Sequence, residues 1–144
     1  RSFGPTRGFL YGGPDYFAHA DDTILTWAMI ETPRGLSNLE AICAVPGLDG
    51  VFVGPSDLSL ALGVAPVPDW KAQPLAAALA RIVEAAHAAG RLAGIFCIST
   101  AFAADMKRMG FDFVVHSNDA AILREAAQRA VAGLKSAPGR DATG

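Results

Sequence analysis

Four apolar runs of strand length divide the chain, and each is followed by a segment with helical spacing. The runs are 23–30, 49–53, 92–98 and 111–115. A parallel strand is buried on both faces and reads as a continuous apolar run, so these segments are predicted to be parallel strands. Strands that alternate with helices indicate an α/β fold with a parallel sheet. Four such units are compatible with a small open sheet and equally with half of an eight-unit barrel. A complete barrel of that kind typically needs roughly 250 residues.

The segments between the runs carry helix start and stop signals. Thr32 is a good N-cap and Pro33 a good first residue, so a helix is predicted over 33–45. A short helix over 55–62 follows the second run, and an Ala-rich helix over 74–90 precedes the third. The predicted inward face of the Ala-rich helix consists of Leu75, Leu79, Ile82, Val83 and Ala86.

Two further helices are predicted in the second half of the chain. One begins at Ser99 or Thr100 and ends at Gly110, and the other begins after Asn118. The inward face predicted for the last helix consists of Ile122, Leu123, Ala126, Ala130 and Leu134.

Gly, Pro and polar residues mark the irregular segments. The segment 1–14 is predicted to be a loop, 15–20 a helical turn, and the Pro-rich segment 64–73 a second loop. The polar residues 136–144 are predicted to be a disordered tail, which leaves 1–135 as one domain.

The composition is that of a globular protein and excludes several classes of partner. The 144 residues are 51% hydrophobic and 18% charged, with a net charge of −2 and no basic block. This balance argues against a nucleic acid or a membrane surface as partner. The apolar runs are too short to cross a membrane, and the N-terminus lacks the features of a signal peptide. Cys43 and Cys97 lie far apart in the sequence and form no CxxC motif. This is typical of buried thiols in a reducing compartment, so a cytoplasmic location is predicted.

Two of the apolar runs end in a carboxylate, and these acids are the strongest candidates for chemistry. Glu31 directly follows the first run, and Asp57 follows the second after the turn 54–56. The carboxyl ends of consecutive parallel strands meet at one edge of the sheet, where α/β folds place their active sites. Two carboxylates at that edge suit a hard divalent ion such as Mg²⁺ or Mn²⁺. The alternatives are a salt bridge from Glu31 to Arg34 and ordinary helix capping by Asp57.

The turn before Asp57 is a candidate site for a substrate carboxylate. Gly54 permits a close approach to the backbone, and Pro55 begins the predicted short helix. The amides of Ser56 and Asp57 would point outward from the N-terminus of that helix, where anions bind. A tight turn without a ligand explains the same residues equally well.

A known family shares the stretch around these acids. The chain resembles the HpcH/HpaI aldolase/citrate lyase family in IETPRGLSNLEAICAVPGLDGVFVGPSDLSLALG, above all in Glu31-Thr32, AVPGLDG and the turn GPSDLS. The resemblance is nearest to the metal-dependent class II aldolases of 4-hydroxy-2-oxoheptanedioate and 2-keto-3-deoxy sugar acids, and it extends more weakly over nearly the whole chain. The family fold is a parallel (β/α)8 TIM barrel. The resemblance therefore implies that 1–135 covers about the last four β/α units, the C-terminal half of the barrel.

The resemblance also implies roles for individual residues. Family members bind the divalent ion through residues that match Glu31 and Asp57, and they place a backbone amide at the Ser56 position against the substrate carboxylate. Phe96 matches a position near the pyruvyl group. The substrate-binding residues implied in this way are Gly54, Pro55, Ser56, Asp57 and Phe96.

The chain departs from the family pattern in two respects. Many members have a substrate-contacting Gln two residues before the metal-binding Glu, where this chain has Met29. The catalytic His and the substrate-binding Arg of the family belong to its N-terminal half, so the catalytic residues are expected there. Neither His116 nor Arg7 is assigned their roles.

The function implied is that of a metal-dependent carbon–carbon lyase that cleaves or forms 4-hydroxy-2-keto acids through a pyruvate enolate. The expected cofactor is Mg²⁺ or Mn²⁺, with Co²⁺ as a further candidate. The expected partners are pyruvate or a similar 2-keto acid, an aldehyde, and copies of the same chain, since the family forms homo-oligomers, commonly hexamers. The alternatives are an acyl-CoA lyase of the citrate or malyl-CoA type and a non-catalytic fragment that needs the missing N-terminal half. Acyl-CoA lyases tend to carry a second acid at the Ser56 position, which favours the aldolase.

Overall fold

The fold is built on a parallel sheet whose strands follow one another in chain order. The computed structural model describes residues 6–66 and 70–136, and its strands are β1 (Trp27–Met29), β2 (Gly50–Val53), β3 (Leu92–Cys97) and β4 (Phe113–His116). The order β1-β2-β3-β4 contains no reversal. A doubly wound sheet reverses at a switch point and a barrel does not, so this is the order of consecutive barrel units. The four predicted parallel strands are confirmed, although β1 covers only part of the predicted run 23–30.

The helices of the described ranges lie between and around these strands. They are α1 (Thr6–Gly12), α2 (Tyr16–Thr23), α3 (Pro33–Ser37), α4 (Leu39–Cys43), α5 (Pro55–Ala61), α6 (Leu75–Ala88), α7 (Thr100–Met109) and α8 (Asp119–Ser136). The five residues predicted to face inward on the Ala-rich helix, now α6, are all buried. Ser99 caps α7 by accepting a hydrogen bond from the Phe102 amide, and Gly110 ends it with a φ of 110°.

Two predicted segments differ from the observed structure. The loop predicted over 1–14 contains α1, because Gly8 and Gly12 lie one helical turn apart and leave room for the ring of Tyr16. The single helix predicted over 33–45 is divided into α3 and α4 at Asn38. Both the backbone amide and the side-chain amide of Asn38 donate to the Arg34 carbonyl, at 3.1 and 2.8 Å, so Asn38 caps the C-terminus of α3.

The inward face predicted for the last helix is wrong. α8 has no buried residue, and the side chains of Leu123 and Leu134 are 72% and 78% exposed. Within the described ranges, α8 packs extensively against none of the other helices or strands. The helical spacing of apolar residues shows that a face is apolar, but not which surface covers it.

The hydrophobic core lies on one face of the sheet, here called the outer face because the helices cover it. Its fully or almost fully buried side chains include Ile30, Val51, Val53, Ala93, Ile95 and Cys97 from the sheet and Leu79, Ile82, Phe102 and Met106 from α6 and α7. The burial of these side chains anchors the helices against the strands.

The large side chains of the opposite face, here called the inner face, are Trp27, Met29, Phe52, Leu92, Phe96, Phe113 and Val115. The register places Met29 beside Phe52 on neighbouring strands, and neighbours in register share a face. Trp27, Phe52 and Phe113 form an aromatic cluster with ring centroids 5.6–6.4 Å apart. Met29 and Phe113 remain 58% and 49% exposed. In a (β/α)8 barrel the corresponding face lines the packed interior.

The C-terminal tail predicted over 136–144 lies outside the described residues, except for Ser136, the last residue of α8. The domain boundary after residue 135 therefore stays a prediction. None of the helices in 6–66 and 70–136 is long and apolar enough to cross a membrane.

Candidate active site

Glu31 is held at the carboxyl edge of the sheet by the turn that follows β1. The Ile30 amide donates to the Phe52 carbonyl at 2.8 Å and continues the ladder up to Glu31. Thr32 then caps α3 by accepting a hydrogen bond from the Gly35 amide at 3.0 Å, and Pro33 is the first helical residue. The backbone of Glu31 is thus held between a strand end and a helix start, and its side chain is partly buried.

Asp57 is held at the same edge by the turn that joins β2 to α5. Gly54 precedes the helix, and its carbonyl accepts from the Leu58 amide at 2.9 Å. Leu58 and Ser59 are completely buried, and the Ser59 hydroxyl donates to the Pro55 carbonyl at 2.6 Å. Because these residues anchor one side of α5, Asp57 faces away from the core and is exposed.

The structure brings the two carboxylates together around Gly54. A Cβ built on Gly54 would lie 2.7 Å from Oε2 of Glu31 and 3.5 Å from Oδ2 of Asp57. The two oxygens are therefore no farther apart than 6.2 Å, the sum of those distances. The sequence predicts that these acids share a sheet edge. In the structure both carboxylates lie close to one backbone position, Gly54.

A cavity of about 370 Å³ lies beside the two carboxylates. Its lining residues are Met29, Glu31, Phe52, Gly54, Pro55, Ser56, Asp57 and Phe96. Every residue that the sequence predicts for metal or substrate binding thus lies in one cavity, and one wall carries acids while the other carries apolar side chains.

Sequence reasoning did not include Phe52 among the site residues. The signal was available in the alternation of the strand, since Phe52 and Gly54 are two positions apart and point to the same face. A Cβ on Gly94 would lie 2.7 Å from Cδ2 of Phe52, so the absence of a side chain at Gly94 accommodates the ring. Trp27 contacts the same ring edge-on, with centroids 6.4 Å apart. The aromatic cluster therefore supports the Phe52 ring, which lines the cavity together with the two acids.

Comparison with known proteins decides the family. The sequence model of the family described as HpcH/HpaI aldolase/citrate lyase matches residues 6–126. The chain belongs to the HpcH/HpaI aldolase/citrate lyase family. This confirms the resemblance that the stretch around Glu31 and Asp57 indicates.

Named relatives and solved structures in this family agree with the assignment. A hydroxypyruvate/pyruvate aldolase of Rhizorhabdus wittichii is 46% identical over 136 residues, which are 94% of this chain and 54% of the relative. A 5-keto-4-deoxy-D-glucarate aldolase of Klebsiella pneumoniae is 37% identical, with 85% and 48% covered. The crystal structure of an HpcH/HpaI aldolase/citrate lyase family protein from Burkholderia cenocepacia superposes with a TM-score of 0.76 at 31% identity, with 94% and 53% covered. The chain spans about half the length of the relatives it matches. The predicted fold class, consecutive β/α units of a (β/α)8 barrel family, is confirmed.

The donor set of the HpcH/HpaI site fits a hard divalent cation. Carboxylate oxygens are the side-chain ligands that Mg²⁺ and Mn²⁺ prefer, and Mg²⁺ commonly takes only one or two carboxylates and completes its shell with water and substrate oxygens. Glu31 and Asp57 place two carboxylate groups beside the cavity. Within 6–66 and 70–136, no group of three or more His, Cys, Asp or Glu side chains is placed to hold a metal ion.

The histidines lie away from this cavity. His116 ends β4 beside Cys97, which places it on the outer face rather than the inner one. His87 is exposed, as expected from its position on α6, and contacts Asp112 at 2.9 Å. His19 lies 3.7 Å from Asp15 at the start of α2.

The cysteines are buried, as the sequence predicts. Both Cys43 and Cys97 are free and completely inaccessible. Burial raises the pKa of the Cys97 thiol to about 11, and burial likewise raises the pKa of Cys43. Because the thiolate is the reactive form, neither residue is suited to nucleophilic chemistry at neutral pH.

Proposed function

We propose that the protein containing this chain is a divalent-cation-dependent aldolase that cleaves or forms the carbon–carbon bond of 4-hydroxy-2-keto acids. The observation that carries this proposal is the convergence of Oε2 of Glu31 and Oδ2 of Asp57 around Gly54, beside a cavity at the carboxyl edge of the sheet. The named relatives, which are aldolases of keto acids, support the same reaction class.

Each part of the cavity has a proposed task. Glu31 and Asp57 hold the cation, Mg²⁺ or Mn²⁺ or alternatively Co²⁺, which supplies Lewis-acid stabilisation of negative charge on the keto oxygen. The amides of Ser56 and Asp57 lie in the first turn of α5, where no intrahelical acceptor exists, and they bind the substrate carboxylate. Gly54 and Pro55 line the part of the cavity next to these amides, through which the substrate carboxylate reaches them.

The apolar wall completes the binding site for a small keto acid such as pyruvate. Phe96 and Phe52 present rings to the cavity, and Met29 lies at its exposed side. These side chains contact the methyl end of the acid and restrict water around it. Ser56 adds no negative charge next to Asp57, which favours this substrate over the CoA thioester of the acyl-CoA lyase alternative.

Proton transfer needs a group beyond the acids described above. Glu31 and Asp57 are the ionisable side chains among the described residues that line the cavity, and both are proposed cation ligands. We therefore place the general acid–base group and the substrate-binding arginine outside the 144 residues, in the part of the relatives' length that this chain does not span. The exposure of the inner face, with Met29 and Phe113 about half exposed, supports this view. It also favours the alternative that the 144 residues alone form an inactive fragment.

The exposed apolar face of α8 supports a homo-oligomer. Leu123 and Leu134 lie on this face and are largely exposed among the described residues, and an exposed apolar helix face is a candidate interaction site. We propose that copies of the protein associate through it, in a closed assembly such as the hexamer expected from the family.

Proton exchange at the methyl group of pyruvate tests the proposed reaction. The natural full-length protein with Mg²⁺ or Mn²⁺ should exchange these protons for deuterium, as followed by NMR. Asp57→Asn should abolish this cation-dependent exchange. No exchange, together with cleavage of a CoA thioester, would establish the acyl-CoA lyase instead. Activity of residues 1–144 alone at the full-length rate would contradict the placement of the proton-transfer group.

A further inference from the structure

Gly54 lies where the two carboxylates meet, and the space of its missing side chain is occupied by one of them. The three heavy atoms nearest to a Cβ built on Gly54 are Oε2 of Glu31 at 2.7 Å, Oδ2 of Asp57 at 3.5 Å and Cδ of Glu31 at 3.9 Å. All three belong to the carboxyl groups of the proposed cation site. Outside its own and the neighbouring residues, a Cβ essentially never lies within 3.0 Å of another heavy atom in proteins, so a side chain at position 54 would displace the Glu31 carboxylate, which is the far end of a flexible side chain and can move aside.

The backbone conformation does not explain a glycine at this position. Gly54 has φ −92° and ψ 94°, which lie in the extended region that all residues adopt. Gly110, by contrast, has a φ of 110° and is required for the end of α7. A preference for glycine at position 54 therefore comes from the space that the Glu31 carboxylate occupies.

We propose that Gly54 is a positioning residue, which fixes where the Glu31 carboxylate stands beside Asp57. This inference rests on the proposed function, in which the two carboxylates hold a divalent cation. With alanine at position 54, ordinary contact at 3.4 Å would require Oε2 of Glu31 to move by 0.7 Å, the difference from 2.7 Å. Metal–ligand distances at a formed site lie within about 0.2 Å of their usual values, so a displacement of this size should weaken a coordination shell that Glu31 shares with Asp57.

The direct test is the cation affinity of Gly54→Ala in the natural full-length protein, measured by calorimetry with Mn²⁺. Loss of ligand orientation typically weakens metal binding by about 10- to 100-fold, and we expect a loss of that size. The matched control is Gly133→Ala on α8, where a Cβ meets no atom within 4 Å, and its affinity should be unchanged. Equal Mn²⁺ affinity in wild type and Gly54→Ala would overturn the inference and leave the proposed cation site intact.

A second measurement separates this inference from the proposed function. Without divalent cation, Gly54→Ala should lower the melting temperature slightly when Glu31 is present, because the Glu31 side chain must move aside. In a Glu31→Ala background the same substitution should not lower it, since the colliding carboxylate is gone and the φ and ψ of position 54 suit alanine. An equal decrease in both backgrounds would overturn the positioning role. If wild type binds no Mn²⁺ and the background dependence persists, Gly54 still positions Glu31, and only the proposed cation site is wrong.

Discussion

Glu31→Gln should abolish the stabilisation that divalent cations are expected to give this protein. In the absence of cation, Glu31 and Asp57 are two negative charges with oxygens at most 6.2 Å apart, the sum of the 2.7 and 3.5 Å distances to a Cβ at position 54. Removing one charge with an isosteric amide relieves that repulsion. The variant should therefore be more stable than wild type without cation and gain nothing when cation is added.

The geometry sets the size of the effect. At 6.2 Å, two unit charges repel by about 0.7 kcal/mol in a medium like water and by about 2.7 kcal/mol at an effective permittivity of 20. Asp57 is exposed and Glu31 only partly buried, so the lower value of about 0.7 kcal/mol applies, and salt reduces it further. For a protein of about 150–250 residues this corresponds to a rise in melting temperature of about 1–3 °C. Bound cation at 100 times its dissociation constant should stabilise wild type by about 2.7 kcal/mol, or about 5–11 °C.

The assay is thermal unfolding of the natural full-length protein at low ionic strength, with chelator and then with excess Mn²⁺. Glu31→Gln should melt above wild type in chelator and below it in Mn²⁺. Glu84→Gln, the same change on the exposed surface of α6, is the matched control and should follow wild type in both conditions. A Glu31→Gln protein that gains as much stability from Mn²⁺ as wild type would refute the assignment of this carboxylate as a ligand.

Three further predictions concern the rest of the fold. Gly94→Ala should lower the free energy of unfolding, measured by urea denaturation, by about 1–3 kcal/mol, because a Cβ there would lie 2.7 Å from the Phe52 ring. An unchanged midpoint of the urea transition would show that the ring moves freely. Burial acts to raise the pKa of Asp112, but hydrogen bonds from the Ala93 amide and from His87 outweigh it and hold that pKa below its usual value. A carboxyl whose pKa is depressed by folding contributes stability above its unfolded value of about 3.9 and loses it as the pH falls through the lower folded value, so Asp112→Asn should flatten the acid side of the stability profile below about pH 4. A wild-type profile in Asp112→Asn would contradict this. Leu134→Lys on the exposed face of α8 should dissociate the proposed oligomer, and light scattering that shows an intact assembly would place the interface elsewhere.

Features that depend on neighbours in the chain could be predicted from the sequence. The apolar runs mark the four strands, and Thr32-Pro33 marks the start of α3, because burial on both faces and N-capping are local requirements. The buried face of α6 follows from the spacing of its apolar residues for the same reason. α1 was missed because its glycines suit a loop until Tyr16 packs against them.

Features that depend on distant partners could not be predicted in the same way. The apolar spacing of α8 suggested a buried face, yet the described residues leave that face exposed. The alternation of β2 places Phe52 on the same face as Gly54, but only the pairing of β2 with β1 and β3 decides that Met29 and Gly94 share that face.

The sequence alone determined the order of the β/α units, the two acids that follow the first two strands, and the family to which their motifs point. Only the tertiary structure decided that the Glu31 carboxylate fills the space of the missing Gly54 side chain next to Asp57. The physical reason is that an acid's place at a strand end is a property of its own segment. The distance between two such acids is set by the pairing of β1 with β2 and by the volume left at the position between them.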